Sequence, residues 1–295
     1  MNSGKLKFSS EMFDEKKFNN KKRSVAVKIV ISILAIYFVL LVIFMGLYAN
    51  FKLKYELVQV SGMSMQPTIN PNTTEQKICD DWVYIRNREF ARGEIVTFNA
   101  KKYKGVSDYL IKRVIATEYD YITIRLMYNE KYGMDVYTVC LVTSDKLDEE
   151  GNFTSADVEY LDEDYTTSVI EWTNSSFTPA TDAIDGFKYE DSFYKTMILS
   201  GKYGTQSDED GVWYAQVPQG EFFYLGDNRE ISSDSRYRGT DKVESIKGVV
   251  EIIIHDANDG PSMVVQLSAV VNYYGEQIGS FFSNLWIDLE KFFAI

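Results

Sequence analysis

From Ile29 to Tyr48 the sequence IVISILAIYFVLLVIFMGLY runs for 20 residues without a charge. At about 1.5 Å per residue, a helix of that length crosses the roughly 30 Å hydrocarbon layer of a bilayer. A buried core helix seldom lacks a polar face for so long, so the pattern predicts a transmembrane helix. The charged stretch ahead of it is too long for a cleavable secretory signal, and Leu47 is bulky where a small residue is needed; the helix reads as an uncleaved anchor.

Beyond the anchor the pattern changes to short runs rich in Val, Ile, Tyr and Phe, separated by Gly, Asn and Asp clusters. Strands are predicted at 55–60, 82–85, 94–98, 109–116, 121–127, 137–142, 220–225 and 249–255. At the end of the chain Ile278, Phe281, Phe282, Leu285, Trp286, Leu289, Phe292 and Phe293 fall at helical spacing, with Asn284, Asp288 and Lys291 facing away. This is an amphipathic helix, suited to docking on the body or to lying in the bilayer interface. The expected fold is mainly β: an antiparallel β-sheet body with an inserted β-rich subdomain, an N-terminal transmembrane helix and a C-terminal amphipathic helix. The corresponding divisions are a basic segment 1–28, the helix 29–48, a β domain built from 49–120 and 217–258, an insert 121–216 and a terminal segment 259–295.

Charge orients this arrangement. Residues 1–28 carry eight basic and three acidic groups, a net of +5, against −12 for the whole chain. A basic cluster on the amino side of the anchor predicts a single-pass protein of the cell membrane with its N-terminus in the cytoplasm and its body outside. The acidic body would repel phosphate backbones, so nucleic acid is not an expected partner. Residues 145–164 hold nine carboxylates and one lysine and read as a solvated acidic loop of the insert. Nothing in the sequence fixes an oligomeric state.

The inventory of reactive side chains is narrow. One histidine, His255, and two cysteines, Cys79 and Cys140, cannot build a closed zinc site, which takes about four Cys or His ligands. No metal and no cofactor is expected. An extracytoplasmic compartment would permit the two cysteines to pair, although their distance in sequence is no sign that they do. Three segments carry chemistry-bearing residues: Ser61-Gly-Met-Ser64-Met-Gln-Pro67-Thr68, Tyr109-Leu-Ile-Lys112-Arg113-Val-Ile-Ala116, and Gly226-Asp227-Asn228-Arg229-Glu-Ile-Ser232-Ser-Asp234-Ser235-Arg236. Each alone is an ordinary turn or strand sequence. Together they offer a serine at the end of a strand, in a turn capped by Pro67, and a lysine to activate it. A serine hydroxyl needs a base, and a desolvated lysine amine loses its proton far more readily than one in water. On an alternating strand Lys112 would share an apolar face with Leu110, Val114 and Ala116. Arg113 would point the other way and cannot serve as base, because guanidinium stays charged.

These three segments resemble the serine box, lysine box and Gly-Asp-Asn box of the bacterial type I signal peptidases, membrane-anchored Ser-Lys proteases. Arg92-Gly-Glu-Ile-Val-Thr-Phe98 is similar to a fourth box of that family, and the order of boxes and the N-terminal anchor agree. The resemblance implies Ser64 as nucleophile, Lys112 as general base and later general acid, and the Ser64 N–H as oxyanion donor. It implies a lysine-orienting hydroxyl at Ser232 and ion pairs among Asp227, Arg113, Asp234 and Arg236 that support the site. The implied substrate is the carboxyl end of a signal peptide on a secretory preprotein, added as a strand, with residues near Gly62 and Leu110 as candidate walls. With 16 residues between Tyr48 and Ser64, at most about 55 Å of extended chain, the serine can lie near the bilayer surface.

Two departures stand out. The lysine box of this family usually continues into Gly-Leu-Pro-Gly-Asp, where this chain has Ala116-Thr-Glu-Tyr-Asp120. Some members carry a hydroxyl two positions before the nucleophile to complete the oxyanion hole; here that position is Gly62. The altered turn leaves a non-catalytic, membrane-anchored peptide-binding module as a second reading. A cysteine hydrolase using His255 with Cys79 or Cys140 is a third.

Overall fold

The computed structural model describes residues 4–74, 80–100, 109–130, 133–161, 193–229, 231–255, 257 and 260–293. It divides into two units, 1–53 and 54–295.

The first unit is one helix, α1 (Gly4–Lys54), of which Lys22–Lys54 is long and apolar enough to cross a membrane. The apolar run expected at 29–48 is its centre. The helix continues past the expected boundary at residue 49 because Ala49-Asn-Phe-Lys-Leu-Lys54 contains neither Gly nor Pro to stop it.

The second unit holds two antiparallel sheets. The strands are β1 (Tyr55–Val60), β2 (Asp81–Arg86), β3 (Ile95–Asn99), β4 (Tyr109–Ala116), β5 (Tyr121–Asn129), β6 (Met134–Val142), β7 (Glu159–Tyr160), β8 (Thr205–Ser207), β9 (Trp213–Gln216), β10 (Glu221–Leu225), β11 (Asp241–Lys242) and β12 (Ile246–Ile254). The larger sheet has the order β1-β2-β12-β3-β4-β10-β11, and the smaller β7-β6-β5-β9-β8. The body is mainly β, as the runs rich in Val, Ile, Tyr and Phe predict, and the larger sheet curls so that turns near its two ends meet. Strands β7, β8, β9 and β11 were not foreseen. Apart from β9 they are only two or three residues long, too short for a period-2 pattern to register.

The smaller sheet is built from strands within residues 121–216, and it is not packed independently. Ile122, Ile124, Val139 and Leu141 share one buried cluster with Ile115, Ala116, Phe223 and Leu225 of the larger sheet. A second cluster joins Phe98, Val114, Phe222, Tyr224 and Val249, and a third joins Val60, Met65, Ile69, Val83 and Ile85. Within the acidic stretch, Asp148 accepts from the Asn152 N–H at 2.6 Å and Asp157 from the Thr154 N–H at 2.8 Å.

A short helix, α2 (Ser235–Arg238), follows β10, and α3 (Met263–Phe293) ends the chain. Asp234 caps α2 through the Arg236 N–H. The first half of α3 docks on the body: Val270 is buried, the Tyr273 ring meets Tyr55 edge-on at 5.3 Å, and Tyr84 donates to Gln266 at 3.4 Å.

Candidate active site

β1 ends at Val60 and the chain turns through residues 61–70, so Ser64 stands four residues beyond the strand and not at its end. The turn is fastened by Asn70. Its side-chain amide donates to Val60 O at 2.9 Å and to Gly62 O at 2.7 Å, while its own N–H and Oδ1 make a reciprocal pair with the Asp81 carboxylate and N–H, both at 2.6 Å. Asn70 adopts φ 57°, a left-handed conformation that Asn tolerates better than most residues. Gln66 closes the other side by donating to Asn70 O and Thr73 O. Neither Asn70 nor Asp81 nor Gln66 was foreseen as part of the site. The Asn70-Pro71 dipeptide, a turn signal, was the one sequence cue.

β4 brings Lys112 to this turn. Lys112 is 3% exposed and its Nζ donates to Ser64 Oγ at 2.7 Å and to Ile111 O at 2.8 Å. Leu110 and Val114 pack in the cluster of Phe98 and Tyr224, the apolar setting that alternation predicts. Ala116 does not share it. The β4–β10 register shifts between Val114 and Ala116, so Ile115 and Ala116 both enter the other cluster. Burial pushes the Lys112 amine down from 10.5 to about 8. The nearby Arg238 charge acts in the same direction, and Asp234 and Asp227 oppose it.

The loop after β10 forms the third wall. The Asn228 N–H donates to Ser64 O at 3.1 Å, tying this loop to the serine turn. Asp227 takes a two-pronged bond from Arg113, at 2.9 and 2.6 Å, and one from the Thr68 hydroxyl at 2.5 Å. Asp234 is fully buried and receives Arg236 at 2.8 and 2.9 Å and the Gly226 N–H at 3.1 Å. Burial alone would raise the Asp234 carboxyl, but the Arg236 charge and these hydrogen bonds hold it below the usual carboxylate range. The four charged residues assigned to supporting roles thus form two ion pairs, Arg113–Asp227 and Arg236–Asp234.

Ser232 is buried over Gly226 and beside Asp234, and it makes no hydrogen bond to Lys112, whose amine is held by Ser64 and Ile111. Gly226 has no room for a side chain: a Cβ there would lie 2.2 Å from Ser232 Oγ and 2.4 Å from Ser64 O. Gly62 is exposed at φ +90°, a conformation that favours glycine. Beside Lys112, residues Tyr109–Lys112 of β4 pair with β3 only, because β10 begins to pair at Arg113. Leu110 therefore lies on a strand segment with one unpaired edge among the described strands.

The cysteine reading finds nothing here. His255 Nδ1 is bonded to Asp81 at 2.7 Å, and Cys140 is buried in the smaller sheet with its thiol pushed up to about 12 by burial. Cys79 lies outside the described residues. Among the described residues no group of His, Cys, Asp and Glu is arranged to hold a metal ion.

The sequence model of the family described as signal peptidase, peptidase S26, matches residues 28–255. The chain therefore belongs to the signal peptidase family and is a serine endopeptidase. It is similar to the signal peptidase I of Aquifex aeolicus (strain VF5), with 25% identity over 209 residues, covering 66% of this chain and 74% of that protein. Among solved structures it is similar to a signal peptidase I from Enterococcus faecalis V583, at 21% identity and a TM-score of 0.32, covering 56% of this chain and 98% of the other.

Proposed function

We propose that this protein is a membrane-anchored endopeptidase that removes N-terminal signal peptides from translocated preproteins, with Ser64 as nucleophile and Lys112 as general base. The observation that carries the reading is the 2.7 Å contact between Ser64 Oγ and a lysine amine that burial brings down to about 8. That distance lies within the range expected of a nucleophile and its base.

In this mechanism neutral Lys112 accepts the Ser64 proton as Oγ attacks the scissile carbonyl carbon. Negative charge gathers on the carbonyl oxygen, where the Ser64 N–H donates to it. As the C–N bond breaks, the Lys112 ammonium returns the proton to the departing amine, leaving the signal peptide as an ester on Ser64. A water then gives its proton to Lys112, attacks the ester carbon and releases the peptide acid, and the proton passes back to Ser64 Oγ. The Ile111 carbonyl orients the amine. Arg113, Asp227, Asp234 and Arg236 position the loop that meets the serine turn, and Ser232 fills the space over Gly226. The substrate strand pairs along the free edge at Tyr109–Lys112, with Leu110 and the Gly62 turn as its walls. Helix α1 anchors the chain, with residues 1–28 in the cytoplasm and the body outside.

The test is cleavage of a secretory precursor by the purified protein. Ser64→Ala and Lys112→Ala should each abolish processing while the circular dichroism spectrum is retained; substantial cleavage by either variant would refute the dyad. Binding of the signal peptide by the wild type without cleavage would overturn the proposed substrate and dyad.

A further inference from the structure

His255, the one histidine of the chain, has no part in the proposed dyad, yet it is bonded into the support of the serine turn. It follows Ile254, the last residue of β12, which pairs with Trp82 of β2. From there its Nδ1 reaches Oδ2 of Asp81, the first residue of β2, at 2.7 Å. Asp81 accepts in this bond, so Nδ1 carries the hydrogen. The same oxygen accepts the Asn70 N–H at 2.6 Å. The Asn70 side chain in turn holds Gly62 O at 2.7 Å, two residues before Ser64.

We propose that His255 is a positioning residue of the active site: through Asp81 and Asn70 it fixes the turn that carries Ser64 against Lys112. The inference rests on the dyad reading above and names a further residue that serves it. Its first support is the shared oxygen. Asp81 is fully buried, and a buried carboxylate keeps its place through the donors it receives. Loss of the imidazole weakens the hold on Oδ2, and the carboxylate can then shift together with the Asn70 turn. A displacement of about 1 Å between reacting groups costs up to about a hundredfold in rate.

The second support is the segment that follows. The Ala257 N–H donates to Asp80 O at 3.2 Å, and Asp80 Oδ2 accepts the Gln59 side-chain amide at 3.0 Å and the Ser61 hydroxyl at 3.1 Å. The exit of β12 thus holds Asp80 and Asp81 from one side, while these two residues hold the end of β1 and the serine turn from the other. The His255 side chain is itself 48% exposed, so its replacement opens no cavity, and its bond to Asp81 is what a substitution removes.

The experiment measures kcat and KM for a signal-peptide substrate with the full-length chain in detergent micelles, from pH 7 to the alkaline plateau. Three variants are compared with the wild type. His255→Leu removes the donor; His255→Asn puts an amide nitrogen where Nδ1 stood; His255→Gln is equally polar but carries its amide nitrogen at the Nε2 position. His255→Leu and His255→Gln are expected to lower plateau kcat about tenfold with KM within about twofold, and His255→Asn to recover at least about half of it. The inflection of the profile should stay at about 8 in all of them, because Lys112 remains buried. Plateau kcat within about twofold of wild type in a folded His255→Leu or His255→Gln would overturn the inference and leave the dyad standing. A loss that His255→Asn does not recover would overturn it as well. An inflection moved upward would do the same, since water reaching Lys112 reports a general loosening of the fold. A wild type that leaves the substrate uncleaved would remove the dyad and this inference together.

Discussion

Lys112 is a cation placed where a cation is unstable. The fall of its amine from 10.5 to about 8 corresponds to about 3 kcal/mol of destabilisation at neutral pH. Two outcomes follow. The proposed dyad needs the neutral amine, so kcat/KM for a short peptide should rise about tenfold from pH 7 to a plateau above pH 9. A profile flat across that range would remove Lys112 as the base. For folding, the unfolded chain binds the Lys112 proton up to 10.5 and the folded chain only up to about 8. Between those values stability should rise with pH, and below about 8 the full cost is present. Lys112→Met removes the charge at similar length, so at pH 7 it should unfold at a higher temperature than the wild type while losing activity by about a hundredfold or more. The buried pair Arg236–Asp234 behaves in the opposite way. Asp234→Asn leaves a guanidinium without its counter-charge and should cost about 3–5 kcal/mol in urea unfolding.

At the scale of elements, the site is a meeting of a turn, a strand and a loop. The closest packing among them is at Gly226, where Ser64 O and Ser232 both approach the backbone. Gly226→Ala should therefore reduce cleavage severely by displacing the serine turn from Lys112; activity within about twofold of wild type would show that the loop yields without moving Ser64. Asn70 locks the same turn from the other side. Asn70→Ala strips Val60 O and Gly62 O of their donor and should cost about 1–3 kcal/mol of stability as well as activity. The strand that presents the lysine was legible from Tyr109 to Ala116 because Val, Ile and Tyr dominate it. The register shift that sends Ala116 into the other cluster was not, because a bulge is set by the partner strand β10 and leaves no mark in the alternation of β4 alone.

At the scale of the molecule, a charged amino-terminal segment, an apolar helix and an acidic body follow one another along the chain. Protease added to sealed, right-side-out vesicles should digest the body and spare residues 1–28, and in inverted vesicles the pattern should exchange. Protection of the body in right-side-out vesicles would reverse the orientation that the basic cluster implies. Ser64 and Lys112 come from segments 48 residues apart, and the loop that backs them comes from more than a hundred residues later. One curled sheet is what joins them.

The sequence by itself determined the apolar helix and the β character of the body, and it singled out Ser64 and Lys112 as the pair to look for. It did so because each rests on local chemistry: an uncharged run, a density of β-branched and aromatic residues, and a motif whose residue types only make sense together. What the tertiary structure decided is the distance between them, the burial that lowers the lysine, the Asn70–Asp81 lock and the position of Ser232 over Gly226. Each of these depends on residues far apart in the chain arriving at one place. Sequence spacing carries no information about such an encounter until the sheet has curled.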